Sequence, residues 1–300
     1  MTHLSLNNLR TRLAPTPSGY LHPGNGLSFL LTWLLARSQG GSILLRIDDL
    51  DQQRFRPAYL EDIFETLDWL GIDFDEGPSG PTDFLTHFSQ KHRIDLYEDL
   101  LKQLTEKSTI YACTCTRKMR RERASDQEPC RDQSIPLSTP NAAWKVALPD
   151  PALVSFKEWG REPTVMDLCT GLKDFVVRKK DGLPAYQLTS LVDDLHWNIN
   201  FVVRGEDLLW STAAQTWIAT QLSRPAFLET LFWHHSLVLD DDGQKLSKSK
   251  GAGSLKTWRE AGLSPAKIYS WAGEYLGLPL EMTHTVSDLL TAFKQKNDET

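Results

Sequence analysis

The side chains that could do chemistry in this chain fall into three groups. His22 sits in the stretch APTPSGYLHPGN, residues 14–25, a loop rich in proline and glycine between an apolar run and a long helical segment. Lys245 and Lys248 lie three apart in KLSKSKG, where Ser247 and Ser249 add hydroxyls and Gly251 follows. Mobile ammonium groups and hydroxyls in a loop after a strand suit a polyphosphate whose charge grows during reaction. The third group is Cys113, Cys115 and Cys130, three thiols in an 18-residue window, with Cys169 apart. That pattern is a poor disulfide framework and a candidate metal cluster.

The elements that must hold these groups follow from periodicity. Leu9 to Leu13 alternates as a strand, and Gly26 to Gln39 has helical apolar spacing. His22 therefore stands on a strand-to-helix loop, where the helix N-terminus favours a phosphate. SILLRI from Ser42 reads as a buried strand, and Tyr59 to Leu70 as an amphipathic helix ending before Gly71. Strand, helix, strand, helix predicts an α/β fold with a parallel sheet. A helix over 92–106 precedes the cysteines, and the Pro-rich, short-stranded 132–163, with a strand over Ala143 to Leu148, interrupts the rhythm. It returns with NINFVVRG as a strand, DLLWSTAAQTWIATQL as a helix and HHSLVLD as a strand, and helices over 255–277 and 285–296 close the chain.

The bulk properties exclude several classes. The chain has 300 residues, 40% hydrophobic and 24% charged, with a net charge of −6 that argues against indiscriminate coating of nucleic acid. Two local basic clusters remain, RKMRRER from Arg117 to Arg123 and Arg178-Lys179-Lys180. No apolar run approaches the ~20 residues of a spanning helix, and MTHLSLNNLR lacks the features of a signal peptide. The expectation is a cytoplasmic protein with no membrane contact and no obligate protein partner.

Taken together, HPGN (His22 to Asn25) and KLSKS (Lys245 to Ser249) resemble the HIGH and KMSKS signatures of class I aminoacyl-tRNA synthetases. RLAPTPSGYLHPGN, LLRIDDLD, AYQLTSLVDD and FVVRGEDLLWST, in that order, resemble blocks of glutamyl-tRNA synthetases. The resemblance implies a Rossmann-like catalytic domain in two parts, 1–107 and 186–254, around an inserted acceptor-binding-like α+β subdomain at 108–185. It also implies attack of the glutamate α-carboxylate on the α-phosphorus of ATP, with Mg²⁺, to give glutamyl-adenylate. ATP would meet His22, Gly24, Asn25, Lys245, Ser247 and Lys248, of which His22, Lys248 and Lys245 would be catalytic. Glutamate would meet Arg12, Leu13, Ala14, Pro15, Thr16, Asp48, Tyr186 and Arg204. HPGN lacks the second His of the signature, and Asn25 can donate there without carrying charge; Asp48 stands where many relatives have Glu.

About fifty residues follow KLSKS, which predicts a helical stem at 255–300 and no anticodon-binding domain. YACTCTR resembles the zinc element of the truncated relatives called glutamyl-Q tRNA(Asp) synthetases. That resemblance implies one Zn²⁺ held within 113–130 by Cys113, Cys115 and Cys130, with Asp126 where those relatives carry a tyrosine ligand. It further implies transfer of glutamate, activated without tRNA, to the queuosine base of tRNA(Asp). Charging of a tRNA 3′ end, a non-catalytic tRNA- or protein-binding paralogue, and ligation to a small amine remain open alternatives at this level.

Overall fold

The computed structural model describes residues 8–116, 119, 130–236 and 253–298. They form two compact units, each discontinuous in sequence: one from segments 1–92, 199–207 and 232–300, the other from 93–198 and 208–231.

The first unit is built on a β-α-β element. Strand β1 (Arg10–Leu13) pairs in parallel with β2 (Ser42–Leu45), Arg10 opposite Ser42 and Leu13 opposite Leu45. Between them runs α1 (Pro23–Ser38), buried on nearly every face through Phe29 to Ala36, as expected of a helix apolar all round. Glu76 extends the sheet beyond β2, its carbonyl accepting from Leu45 N at 2.8 Å. On the other side of β1 lies the strand Phe201–Gly205, reached through Asn200 N donating to Arg10 O at 3.0 Å. Helix α2 (Pro57–Trp69) buries Leu60, Ile63 and Leu67 at helical spacing and ends before Gly71, whose φ of +63° suits glycine.

The closing helices of this unit are Leu255–Glu260, Ala266–Leu276 and Val286–Asp298. The sequence reading ran the first two together. Gly262 at φ +71° and Pro265 separate them, because proline has no N–H for the ladder and restricts the residue before it. A second correction concerns HHSLVLD: the strand there is Leu231–His235, starting on the apolar LFW upstream and finished at Ser236. The rest of that stretch lies outside the described residues.

The second unit carries the helix Ile94–Lys107, packed through Tyr97, Leu100, Leu101 and Leu104, and an antiparallel three-stranded sheet. Its central strand is Ala143–Val146, two residues shorter than its spacing suggested, flanked by Ile110–Cys113 and Val176–Arg178. Leu153–Glu158 and Thr164–Asp167 make a hairpin that 132–163 did not resolve by sequence. The helices Tyr186–His196 and Leu209–Gln221 complete this unit.

Candidate active site

The His22 loop is held from within. Pro23 occupies the first turn of α1, where a missing N–H costs nothing. Asn25 reaches back so that its Oδ1 accepts from His22 N at 3.1 Å. Gly24 leaves room for the imidazole: a Cβ there would stand 3.0 Å from His22 Cε1. The imidazole thus lies over the start of α1, at the end whose free amides favour an anion.

Two of the residues matched to glutamate, Arg12 and Arg204, stand on strands of the same unit. Arg12 on β1 and Arg204 on the strand Phe201–Gly205 are each 4% exposed, two guanidinium groups held in the interior. Arg12 Nη1 approaches Val203 O at 3.4 Å, and Arg204 stands over the Phe232 ring, 5.2 Å from its centroid. Beyond β2 the chain stays extended beside the loop: Arg46 N donates to Leu13 O and Asp48 N to Pro15 O, each at 2.9 Å. Leu13, Ala14 and Pro15 therefore lie along Arg46 to Asp48, and Thr16 closes a short turn by accepting from Ser18 N. Tyr186 belongs to the other unit, where it opens the helix Tyr186–His196 with 41% of its surface exposed.

Asp48 has a partner that the sequence reading did not single out. Arg46 Nε and Nη2 grip Asp48 Oδ1 and Oδ2 at 2.8 and 2.9 Å, with side chains 2% and 10% exposed. The signal was present in LLRIDDLD, since residues i and i+2 of an extended chain point the same way. Asp49 points elsewhere and accepts from Ser89 Oγ at 2.6 Å and Gln90 N at 2.8 Å. The two adjacent acids thus have different jobs, one in a guanidinium fork and one bracing a turn.

The three cysteines converge in the second unit. Cys113, Cys115 and Cys130 are buried against Tyr111 and Ala147, and their sulfurs all lie within 4.8 Å of one another. The Sγ atoms of Cys115 and Cys130 are 3.3 Å apart. Tetrahedral zinc with thiolates at ~2.3 Å sets its sulfurs roughly 3.8 Å apart, so this donor set fits a zinc ion. Burial and the bond to Cys130 push the Cys115 thiol up to about 11. Burial also opposes ionisation of Cys130, but bonds from Cys115 and from the Thr114 backbone outweigh it and bring that thiol down. Cys169 stands apart, its thiol donating to Pro149 O at 3.1 Å. Lys180 Nζ donates to Thr114 O at 2.7 Å, which ties the second basic cluster to the cysteine turn. Asp126, Lys245, Ser247, Lys248 and nearly all of RKMRRER lie outside the described residues.

Residues 8–274 match the family model "tRNA synthetases class I (E and Q), catalytic domain". A glutamyl-Q tRNA(Asp) synthetase of Nitratidesulfovibrio vulgaris is 35% identical over 292 residues, covering 90% of this chain and 87% of that protein. A glutamate–tRNA ligase of Dehalococcoides mccartyi is 34% identical over 275 residues, covering 88% of this chain but only 55% of the ligase. Among solved structures, a glutamate-tRNA synthetase from Elizabethkingia anophelis superposes with a TM-score of 0.77 at 26% identity, over 96% of this chain and 66% of that one.

Proposed function

We propose, from the premise that this chain belongs to the class I tRNA synthetases of the E and Q type, that it activates L-glutamate with ATP and passes the glutamyl group to the queuosine base of tRNA(Asp). The observation that carries the acceptor assignment is the buried cluster of Cys113, Cys115 and Cys130 in a segment that resembles the zinc element of the glutamyl-Q relatives. The chain spans 87% of the glutamyl-Q relative and about half of the ligases it matches at similar identity. The catalytic part is assigned to 1–107 and 186–254, with 108–185 as the acceptor-side insertion and 255–300 as a stem. A tRNA substrate puts the protein's work in the cytoplasm.

Adenylation needs two anions brought together and little acid-base chemistry, so positioning and charge carry it. Buried Arg12 and Arg204 are suited to bind glutamate carboxylate, the planar fork matching its two oxygens. Asp48 would take the α-ammonium. The Arg46 fork fixes the direction in which that carboxylate faces. With the α-carboxylate oxygen set against the α-phosphorus, pyrophosphate leaves from the opposite side. His22 and the amides at the head of α1 would donate to phosphate oxygens, Gly24 admitting the imidazole and Asn25 holding its backbone. Lys248 and Lys245, beside Ser247, would neutralise the phosphates from the KLSKS segment. Mg²⁺ arriving with ATP would supply further charge neutralisation. Zinc at Cys113, Cys115 and Cys130, with Asp126 as fourth ligand, would serve the fold of its subdomain.

The chemistry is tested by pyrophosphate exchange into ATP. Exchange that requires glutamate and proceeds without tRNA supports the reading. Exchange absent under all amino acids removes it.

A further inference from the structure

The chain leaving the KLSKS segment is fastened to the loop that carries His22, and both are fastened to α2. Ser254 caps the helix Leu255–Glu260 by accepting from Thr257 N at 3.2 Å. One residue on, Leu255 N donates to Leu21 O at 2.8 Å, and Leu255 Cδ1 fills the space beside Gly26, where a Cβ would meet it at 3.0 Å. Leu21 N in turn approaches Asp62 Oδ2 of α2 at 3.4 Å. Both backbone groups of the residue before His22 are therefore engaged, one by each neighbouring helix.

Arg259 joins those helices. Its Nη2 donates to Asp62 Oδ1 at 2.8 Å and to Glu65 Oε2 at 2.7 Å, and its Nη1 to Thr66 Oγ1 at 2.5 Å. Asp62 is 1% exposed, so this is a buried ion pair whose second oxygen faces the Leu21 amide. The same pattern repeats one residue outward. Lys256 Nζ lies 5.1 Å from the centroid of the Tyr20 ring, which meets Tyr59 of α2 edge-on at 4.9 Å. A surface salt bridge would not need a buried carboxylate shared with a backbone amide of a phosphate-binding loop.

We infer that Arg259, through Asp62, is a positioning residue for adenylate formation. It holds the loop that carries His22 against α2 and the helix Leu255–Glu260, so that the imidazole is set at the head of α1 where the phosphates would lie. This rests on the adenylation reading above. A shift of about 1 Å in such a group costs up to 10²-fold in rate, without weakening a substrate bound elsewhere.

The experiment is a kinetic double-mutant cycle on the whole chain, read by glutamate-dependent pyrophosphate exchange. Arg259→Gln should lower kcat by roughly 10- to 100-fold, with the KM for glutamate within about twofold of wild type. Arg259→Lys, which keeps one charged donor, should recover part of it. In a His22→Ala background, Arg259→Gln should add less than about twofold, because its effect passes through the imidazole. Asp62→Asn, close in shape, should lower kcat in the same range with the glutamate KM unchanged, and serves as the test where Arg259→Gln does not fold. A raised glutamate KM at unchanged kcat, or an undiminished loss in the His22→Ala background, overturns the inference while leaving the adenylation reading intact. A folded wild-type chain with no exchange fails that reading, and this inference with it.

Discussion

Replacing Arg46 by Met probes the pair beneath the predicted glutamate site. The fork onto Asp48 is bidentate at 2.8 and 2.9 Å, and the two side chains are 2% and 10% exposed. Breaking such a pair from one side costs about 3–5 kcal/mol, since the remaining charge stays buried without its counter-ion. The slight exposure of Asp48 puts the expectation near the lower end, ~3 kcal/mol. At this chain length that moves the thermal midpoint by roughly 6 °C. Removing both charges avoids the stranded carboxylate, so Arg46→Met with Asp48→Asn should recover at least ~1 kcal/mol of the loss. The assay is denaturant and thermal unfolding of the three variants and wild type, without substrates. A loss under ~1 kcal/mol for Arg46→Met, or strict additivity in the double variant, would refute the claim that the fork is a coupled buried pair.

Arg12→Ala should raise the KM for glutamate about 100-fold in exchange assays while ATP is little affected, because a buried carboxylate loses its charged donor; equal losses for both substrates would mean the pocket is misassigned. Metal analysis of reduced protein should find about one zinc per chain, lost in Cys115→Ser and kept in Cys169→Ser; retention in both would detach the cysteines from the metal. His235 gives a pH dependence of known sign. Burial is the main cause holding its imidazole below the usual 6.5, against the opposing pull of Ser236 O, Asp207 and Glu206. The folded protein then binds fewer protons than the unfolded chain below about pH 6.5, so stability should fall as pH drops from there, and His235→Leu should flatten that slope in unfolding curves. An unchanged slope would place the acid sensitivity elsewhere.

The parts of this protein legible in its sequence are those governed by local periodicity. β1, α1, β2 and α2 follow from alternation, a 3.6-residue apolar stripe and Gly/Pro punctuation, and so does the placing of His22 at the head of α1. What escaped was set by neighbours distant in the chain. The strand at 231–235 takes in an apolar LFW that the reading passed over for the alternating residues after it. Arg46 and Asp48 are the exception, since they stand two residues apart and their common direction on an extended chain was a local signal that the reading passed over. Arg259 and Asp62 lie 197 positions apart, and no spacing rule connects them. The discontinuous make-up of the two units is likewise a property of contacts rather than of any stretch.

The most direct test of the account is transfer of labelled glutamate to two matched tRNA pools, one from cells that make queuosine and one from cells that cannot. The account predicts label on the first pool only, surviving removal of the tRNA 3′ end. Equal label on both pools, lost with the 3′ end, would contradict it and make this chain a charging enzyme.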